Sequence, residues 1–162
     1  MSDSEKYLGI YRIESARLKN YDYSQPGIYY ITICTKNHVL IFGDVIDSKM
    51  TLSNEGNIAK KYWVDIPNHY HQIELDEYVI MPNHIHGLIK IIETAKSNIS
   101  TIGEIINNYK RTCTLEIRKF NLEFGWQTRF YDHIVREYDD LDRIRDYIRD
   151  NPAKWRQDEL FL

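Results

Sequence analysis

The chain lacks most features of membrane, secreted and disulfide-stabilised proteins. Its 162 residues include only two cysteines, Cys34 and Cys113, which are far apart and show no metal-like spacing, as expected for thiols of a reducing cytoplasm. No apolar run approaches the roughly 18 residues of a membrane helix, and residues 1–6 lack the basic-then-apolar plan of a signal peptide. We therefore expect a cytoplasmic protein.

Internal repeats, low-complexity tracts and Gly/Ser linkers are also missing, so we expect one domain over residues 1–162. The net charge of −3 argues against strong, non-specific binding to duplex DNA, which needs a basic surface. The basic residues are unevenly distributed, because residues 101–136 hold six against four acids, whereas residues 137–162 hold five against eight. A local basic groove on an acidic molecule is compatible with this pattern. The 13 tyrosines could pack in the core or stack on unpaired bases.

Hydrophobic periodicity and turn residues predict seven main elements in the order strand, helix, strand, strand, helix, strand, helix. The strands are expected near residues 27–35, 74–81, 84–92 and 130–135, and the helices over 52–66, 101–120 and from about 139 to 151. The first six elements form the βαββαβ order of a ferredoxin-like α+β fold, an antiparallel sheet with two helices on one face. The last helix is an addition to that plan.

Local signals set the expected helix ends. Pro67 is expected to end the first helix. Thr101 and Glu104 have the spacing of a capping box at the start of the second helix. Asp139 or Asp140 is expected to cap the last helix.

Two histidines, His84 and His86, stand two residues apart at the start of the third strand, with Ile85 between them. Because side chains alternate along a strand, both imidazoles share a face, about 7 Å apart at their Cα atoms, and could converge on one divalent ion. In the predicted fold, Ile85, Ile89 and Ile91 pack under the two helices. The histidines then lie on the bare face, across which the last helix could dock. A solvated or hydrogen-bonded structural pair remains the alternative.

Tyr147 and Asn151 are four residues apart in the last helix and share a face. If this helix docks near the histidines, the Asn151 carbonyl oxygen could be a third metal ligand. Two neutral imidazoles and an amide oxygen, with open positions, suit Mg²⁺ or Mn²⁺ clamping a phosphate. Tyr147 would then be the nucleophile that attacks a phosphodiester. The alternative places Tyr147 at the edge of the core and makes Asn151 a helix cap before Pro152.

Three blocks of sequence, at these spacings, resemble the single-tyrosine HUH transposases, and within them the REP-associated tyrosine transposase group. The blocks are Met81-Pro82-Asn83-His84-Ile85-His86, Trp126-Gln127-x-Arg129-Phe130-Tyr131-Asp132-His133-Ile134-Val135-Arg136 and Tyr147-Ile148-x-x-Asn151-Pro152. Residues 21–32 also look like the first strand of that family. The similarity therefore covers about residues 20–155.

The resemblance implies a ferredoxin-like core whose additional C-terminal helix carries the nucleophile. It also implies a divalent metal, Mg²⁺ or Mn²⁺, and cleavage and rejoining of single-stranded or hairpin DNA through a phosphotyrosine intermediate. His84 and His86 match the family's metal histidines, and Tyr147 matches its catalytic tyrosine. Asn151 stands where insertion-sequence relatives carry a glutamine. Many of those relatives work as dimers, so a homodimer is one expectation, although the REP-associated group need not form one.

Five further residues are candidate DNA contacts. Arg129 could hold a phosphate by a bidentate contact, Gln127 could read a base edge, and His133 lies in the same block. Lys110 and Arg111, midway along the preceding helix, could contact phosphates. The alternatives are polar support for the core in the first three cases and a solvated helix face in the last two.

Three other functions remain open. A replication initiator or relaxase also joins a His-x-His pair to a tyrosine, but usually carries further domains. A non-catalytic single-strand binder would stack bases on tyrosines and keep its affinity in EDTA. A zinc hydrolase built on His84 and His86 would need further ligands in a recognisable spacing, which the chain lacks.

Overall fold

A computed structural model describes residues 6–7, 10–11, 19–92 and 100–161 of the chain. The predicted domain, 1–162, thus extends beyond the described residues. The strands are β1 (Lys6–Tyr7), β2 (Ile10–Tyr11), β3 (Gly27–Cys34), β4 (Gly43–Ile46), β5 (Lys49–Leu52), β6 (Ile73–Ile80), β7 (His84–Ile91) and β8 (Tyr131–Val135). The α-helices are α1 (Asn54–Val64), α2 (Ile66–His69), α3 (Ile102–Ile117) and α4 (Tyr138–Asp150).

The main sheet has four antiparallel strands in the spatial order β6-β7-β3-β8. With α1 between β3 and β6 and α3 between β7 and β8, this order realises the predicted ferredoxin-like βαββαβ plan. The two central strands are β7 and β3, in a register that pairs Cys34 with His84 and Thr32 with His86. The histidines therefore lie on a central strand, as predicted, at the end of the sheet where β7 begins.

One face of the sheet packs against α1 and α3. Ile85, Ile89 and Ile91 are buried there, as predicted for the odd-numbered positions of β7. Gly87 belongs to the same row, and a Cβ atom at this position would lie 2.2 Å from Cζ2 of Trp63. The indole of α1 thus occupies the space that any larger residue at position 87 would need.

The opposite face of the sheet is covered by α4. A second apolar cluster forms there from Tyr30, Leu88, Val135, Leu141, Ile144 and Ile148. The last three residues come from α4 and repeat at helical spacing, which is why this side of the helix turns towards the sheet. The face that the bare ferredoxin-like plan leaves open is therefore buried, and the last helix docks where the sequence had suggested it could.

Several boundaries differ from the prediction. The β4–β5 hairpin, in which Asp47 and Ser48 adopt positive φ, was not predicted. Pro67 does not end α1. The helix stops at Val64, and the proline lies in the first turn of the short α2, where its missing N–H costs nothing. The Thr101 capping box is confirmed.

The start of α4 also differs from the prediction. Glu137 stands at the N-cap with no side-chain hydrogen bond, and Asp139 and Asp140 lie inside the first turn. Their negative charges still stabilise the helix there, because they interact favourably with the positive N-terminal end of the helix dipole. No helix in the described parts of the chain is long and apolar enough to cross a bilayer.

Candidate metal and nucleophile site

His84 and His86 face the α4 side of the sheet, and their ring centroids lie 4.5 Å apart. The side chains are almost fully buried, with 0% and 3% of their surface exposed. The sequence had placed them on an open face. They are buried because α4 crosses the sheet beside them and because the segment after α4 folds back, so that the Trp155 ring lies 5.8 Å from the His84 ring.

Asn83 determines which nitrogen of His84 carries the proton. The Asn83 amide nitrogen donates to the carbonyl of Leu160 at 2.7 Å, so its oxygen faces Nδ1 of His84, also at 2.7 Å. An amide oxygen can only accept a hydrogen bond, and Nδ1 of His84 must therefore be protonated. Nε2 then keeps its lone pair, and among the described residues this buried atom has no hydrogen-bond partner.

His86 is oriented from the neighbouring strand. Its Nδ1 lies 2.9 Å from the Tyr30 hydroxyl and 2.9 Å from the Thr32 hydroxyl, and either oxygen can accept its proton. With Nδ1 protonated, Nε2 keeps a lone pair on the side that faces α4. Orientation of a ligating imidazole through its other nitrogen is typical of metal sites.

Both histidines are held in the neutral form. Burial lowers the pKa of His86 to about 3. Burial also lowers the pKa of His84 well below its usual value, and the neighbouring His86 and His38 add to this effect. Neutral imidazoles can bind a cation at physiological pH without first losing a proton.

The third predicted ligand, Asn151, is 2% exposed at the C-terminal end of α4. Its amide nitrogen lies 3.3 Å from a carboxylate oxygen of Asp158, whereas its oxygen, Oδ1, is buried without a partner in the described structure. Two unpaired buried acceptors, this oxygen and Nε2 of His84, are costly unless something binds them. A divalent cation fits both.

Asp158 is a member of the site that the sequence did not reveal. One ligand atom from each of His84, His86 and Asp158 lies within 4.8 Å of the others, and the carboxylate is 6% exposed. The backbone N–H of Leu160 donates to its second oxygen at 2.8 Å. No spacing distinguishes this aspartate from the other acids near the C-terminus. Only the return of the chain after α4 brings it to the histidines.

Tyr147 projects from α4 towards the same place. Its hydroxyl lies 3.4 Å from Nε2 of His86, and the two ring centroids are 5.3 Å apart. The side chain as a whole is half-buried, so Tyr147 is only partly shielded from solvent. Tyr30 also contacts His86, but it is 3% exposed and lies on the Nδ1 side of the ring, whereas the Tyr147 hydroxyl lies on the Nε2 side. The structure therefore brings together all four residues predicted for catalysis and metal binding.

The predicted DNA contacts are more dispersed. The Lys110 ammonium is almost buried and donates to the carbonyl of Gln127 at 2.6 Å and to that of Thr128 at 3.4 Å. Burial also lowers the pKa of Lys110. Its role is to hold the segment after α3 in place, which disfavours the phosphate contact predicted for it. Arg111, by contrast, is exposed on α3.

Gln127 and Thr128, here called the Gln127 segment, lie at the end of the sheet where β7 begins, called the metal end because His84 and His86 lie there. The backbone N–H of Gln127 donates to the carbonyl of Cys34, the residue opposite His84, at 2.9 Å. Its side-chain amide nitrogen lies 2.9 Å from Nε2 of His38. Arg129, two residues further on, is exposed, and His133 is half-buried on β8, with its pKa lowered mainly by burial.

Comparison with known proteins gives consistent matches. The family model described as "Transposase IS200 like" matches residues 27–151. An uncharacterised protein of Haemophilus influenzae is 39% identical over 172 aligned positions, which cover 95% of this chain and 96% of that protein. A second H. influenzae protein, described as a candidate REP-associated tyrosine transposase, is 29% identical over 146 positions, 85% of this chain and 77% of that protein.

A solved structure shares the fold. It is described as a REP-associated tyrosine transposase bound to a REP hairpin, and it matches 84% of this chain and 72% of its own with a TM-score of 0.63 at 18% identity. Together with the family match, this likeness confirms both the predicted resemblance and the predicted fold.

Proposed function

The chain belongs to the IS200-like transposase family, and on that premise we propose that it cleaves and rejoins single-stranded DNA through a covalent bond to Tyr147. The observation that carries the proposal is the 3.4 Å separation between the Tyr147 hydroxyl and Nε2 of His86. A nucleophile of this kind must lie beside the group that stabilises the phosphate under attack. His84 and Asn151, each with an unpaired buried acceptor in the described structure, both adjoin the Asp158 carboxylate, at 3.9 Å and 3.3 Å.

The cation of this site would be held by His84, His86 and Asp158, with the Asn151 oxygen as a further ligand. Two imidazoles and two oxygen ligands leave room for phosphate oxygens on Mg²⁺ or Mn²⁺. When bound, the ion would polarise the scissile phosphate and offset the charge that develops in the transition state.

The residues of the chain supply the remaining chemistry. Tyr147 loses its phenol proton to solvent water, and its oxygen forms a bond to phosphorus. The bond from phosphorus to the departing DNA oxygen breaks, and this oxygen takes up a proton to become a free hydroxyl. The phosphotyrosine link is itself a phosphodiester, so its formation conserves the free energy of the bond that was broken. A hydroxyl of another strand can therefore attack the phosphorus and release Tyr147 without ATP. Every residue in this scheme comes from one chain, so a homodimer is not needed to complete the site.

Single-stranded or hairpin DNA is the proposed substrate. The structural neighbour is described with a bound REP hairpin. In this chain, Arg129 is exposed two residues after Gln127, whose backbone N–H is bonded to Cys34 opposite His84, and we propose that Arg129 contacts a phosphate. Arg111 offers a second exposed cation on α3. The low net charge limits the interface to a few such contacts.

The test is to incubate the full chain with single-stranded DNA from the flanks of its own gene in Mn²⁺. A covalent protein–DNA adduct is expected on a denaturing gel, and EDTA is expected to prevent it. Tyr147→Phe removes one hydroxyl and almost no volume, so it should abolish the adduct while the DNA Kd changes by less than about threefold. Tyr138→Phe is the matched control, because that side chain is on the same helix but 87% exposed.

Two results would contradict the proposal. An adduct that persists in Tyr147→Phe would assign the nucleophile to another tyrosine. Binding that survives EDTA, with no adduct under any condition, would favour a non-catalytic single-strand binder.

A further inference from the structure

The edge strand β6 contains a bulge beside the helix that carries Tyr147. Its register against β7 pairs Leu75 with Ile89 and Tyr78 with Gly87, so three steps along β6 match two along β7. One extra residue is therefore inserted at Asp76–Glu77, and the N–H of Glu77 is bound by a carboxylate oxygen of Asp76 at 2.7 Å. A bulge bends a strand and re-aims its side chains.

The bulge turns two consecutive carboxylates to one face of the sheet. Leu75 and Tyr78 both pack into the core under α1 and α3, whereas Val79 packs into the cluster under α4. In a regular strand, alternation would send Asp76 and Glu77 to opposite faces. With the extra residue, both face α4.

Each of these carboxylates binds an arginine of α4. Arg145 donates from Nε to Oδ1 of Asp76 at 3.0 Å and from Nη2 to Oδ2 at 2.5 Å, which is a bidentate pair. Arg149 donates from Nε to Oε1 of Glu77 at 3.0 Å. The arginines stand four residues apart and therefore on one face of the helix, whereas Tyr147, midway between them in the sequence, lies on a different side and contacts His86.

We propose that this pair of ion pairs, the β6–α4 clamp, positions Tyr147 against His86. The clamp consists of Asp76, Glu77, Arg145 and Arg149. The apolar contacts of α4 press the helix onto the sheet but are tolerant of small shifts along its axis. Two ion pairs one turn apart restrict both sliding and rotation, because a bidentate pair loses its geometry with small displacements. Arg145 and Arg149 are positioning residues, and this role rests on the proposed function of Tyr147.

The main test variant is Arg145→Met, which keeps an unbranched stem of similar reach and removes the guanidinium. The single-turnover rate of adduct formation at saturating single-stranded DNA should fall about 10–100-fold, the loss expected from misplacing a nucleophile by about 1 Å. The DNA Kd should stay within about twofold. Arg149→Met should have a smaller effect, because Arg149 is 52% exposed against 31% for Arg145.

The matched control is Arg143→Met. Arg143 is on the same helix, but its ion pair is with Asp140 of α4 and does not reach the sheet. The single-turnover rate of adduct formation by Arg143→Met should equal that of the wild type. Asp76→Asn completes a double-mutant cycle with Arg145→Met, and the double variant should be no slower than the slower single variant. All rates are measured at a temperature at which circular dichroism shows every variant folded.

The outcomes separate the clamp from the proposed function. If the wild type forms no adduct, the proposed function fails and the clamp fails with it. If the wild type forms an adduct that Tyr147→Phe abolishes, but Arg145→Met reacts within twofold of the control, the clamp alone is wrong. A lower melting temperature with an unchanged rate would make the ion pairs structural only.

Discussion

Asn83→Ala is expected to weaken Mn²⁺ binding at the candidate site by changing the proton position on His84. In the wild type, the Asn83 oxygen accepts from Nδ1 of His84 at 2.7 Å, and this keeps Nε2 unprotonated. Without that acceptor, the metal-free protein can move the proton to Nε2, close to the unpaired Asn151 oxygen. Binding of a metal ion at Nε2 then requires the proton to move back to Nδ1, where the variant offers the N–H no acceptor.

The magnitude follows from that unpaired group. A buried donor without an acceptor costs about 1–3 kcal/mol, and here the cost falls on the metal-bound state alone. At about 1.4 kcal/mol per tenfold, the Kd for Mn²⁺ should rise about 5–150-fold, in line with the roughly 10–100-fold effect of removing groups that orient metal ligands. Asn83→Asp retains an acceptor and should bind Mn²⁺ more tightly than Asn83→Ala.

Isothermal titration calorimetry of the full chain with Mn²⁺ measures the effect without reference to activity. Asn68→Ala is the control, because Asn68 is an exposed asparagine whose side chain donates to Asp65, away from the candidate site. The tautomer can be read directly from the ¹⁵N shifts of the His84 ring. The reasoning is refuted if Asn83→Ala binds Mn²⁺ as the wild type does while His84→Ala abolishes binding.

Three further predictions concern stability and DNA binding. Because the pKa of His86 is about 3 in the folded chain and about 6.5 when unfolded, its stabilising contribution is complete above pH 6.5 and lost as the pH falls towards 3. The Tm should therefore decline on acidification, less steeply in His86→Asn than in a variant of the exposed His71. Gly87→Ala should lower stability in urea by about 1–3 kcal/mol, since its Cβ would lie 2.2 Å from Trp63, whereas Gly125→Ala, with its nearest atom at 3.6 Å, should be nearly neutral. With only two exposed arginines as predicted phosphate contacts, the slope of log K for single strands against log salt should be about −1.4, at about 0.7 per contact; a slope beyond about −6, or tighter binding to random duplex, would contradict this interface.

Local patterns in the sequence were sufficient for the order of the seven main elements and for the two residue pairs of the candidate site, but not for the β4–β5 hairpin or for α2. Alternation placed His84 and His86 on one face of a strand, and helical spacing placed Tyr147 and Asn151 on one face of a helix. These rules depend only on backbone geometry, which is the same in every protein. The Thr101 capping box was predictable for the same reason, because both of its hydrogen bonds form within one turn.

Contacts between distant segments were decided only by the tertiary structure. Asp158 joins the histidines because the chain returns after α4, and Tyr30 reaches His86 through strand pairing across 56 residues. The burial of Lys110 against the Gln127 segment has the same origin. None of these contacts leaves a periodic signal, since each depends on how separately formed elements pack. The bulge at Asp76 could not be predicted from the sequence either, because the extra residue in β6 is defined only by the pairing of β6 with β7.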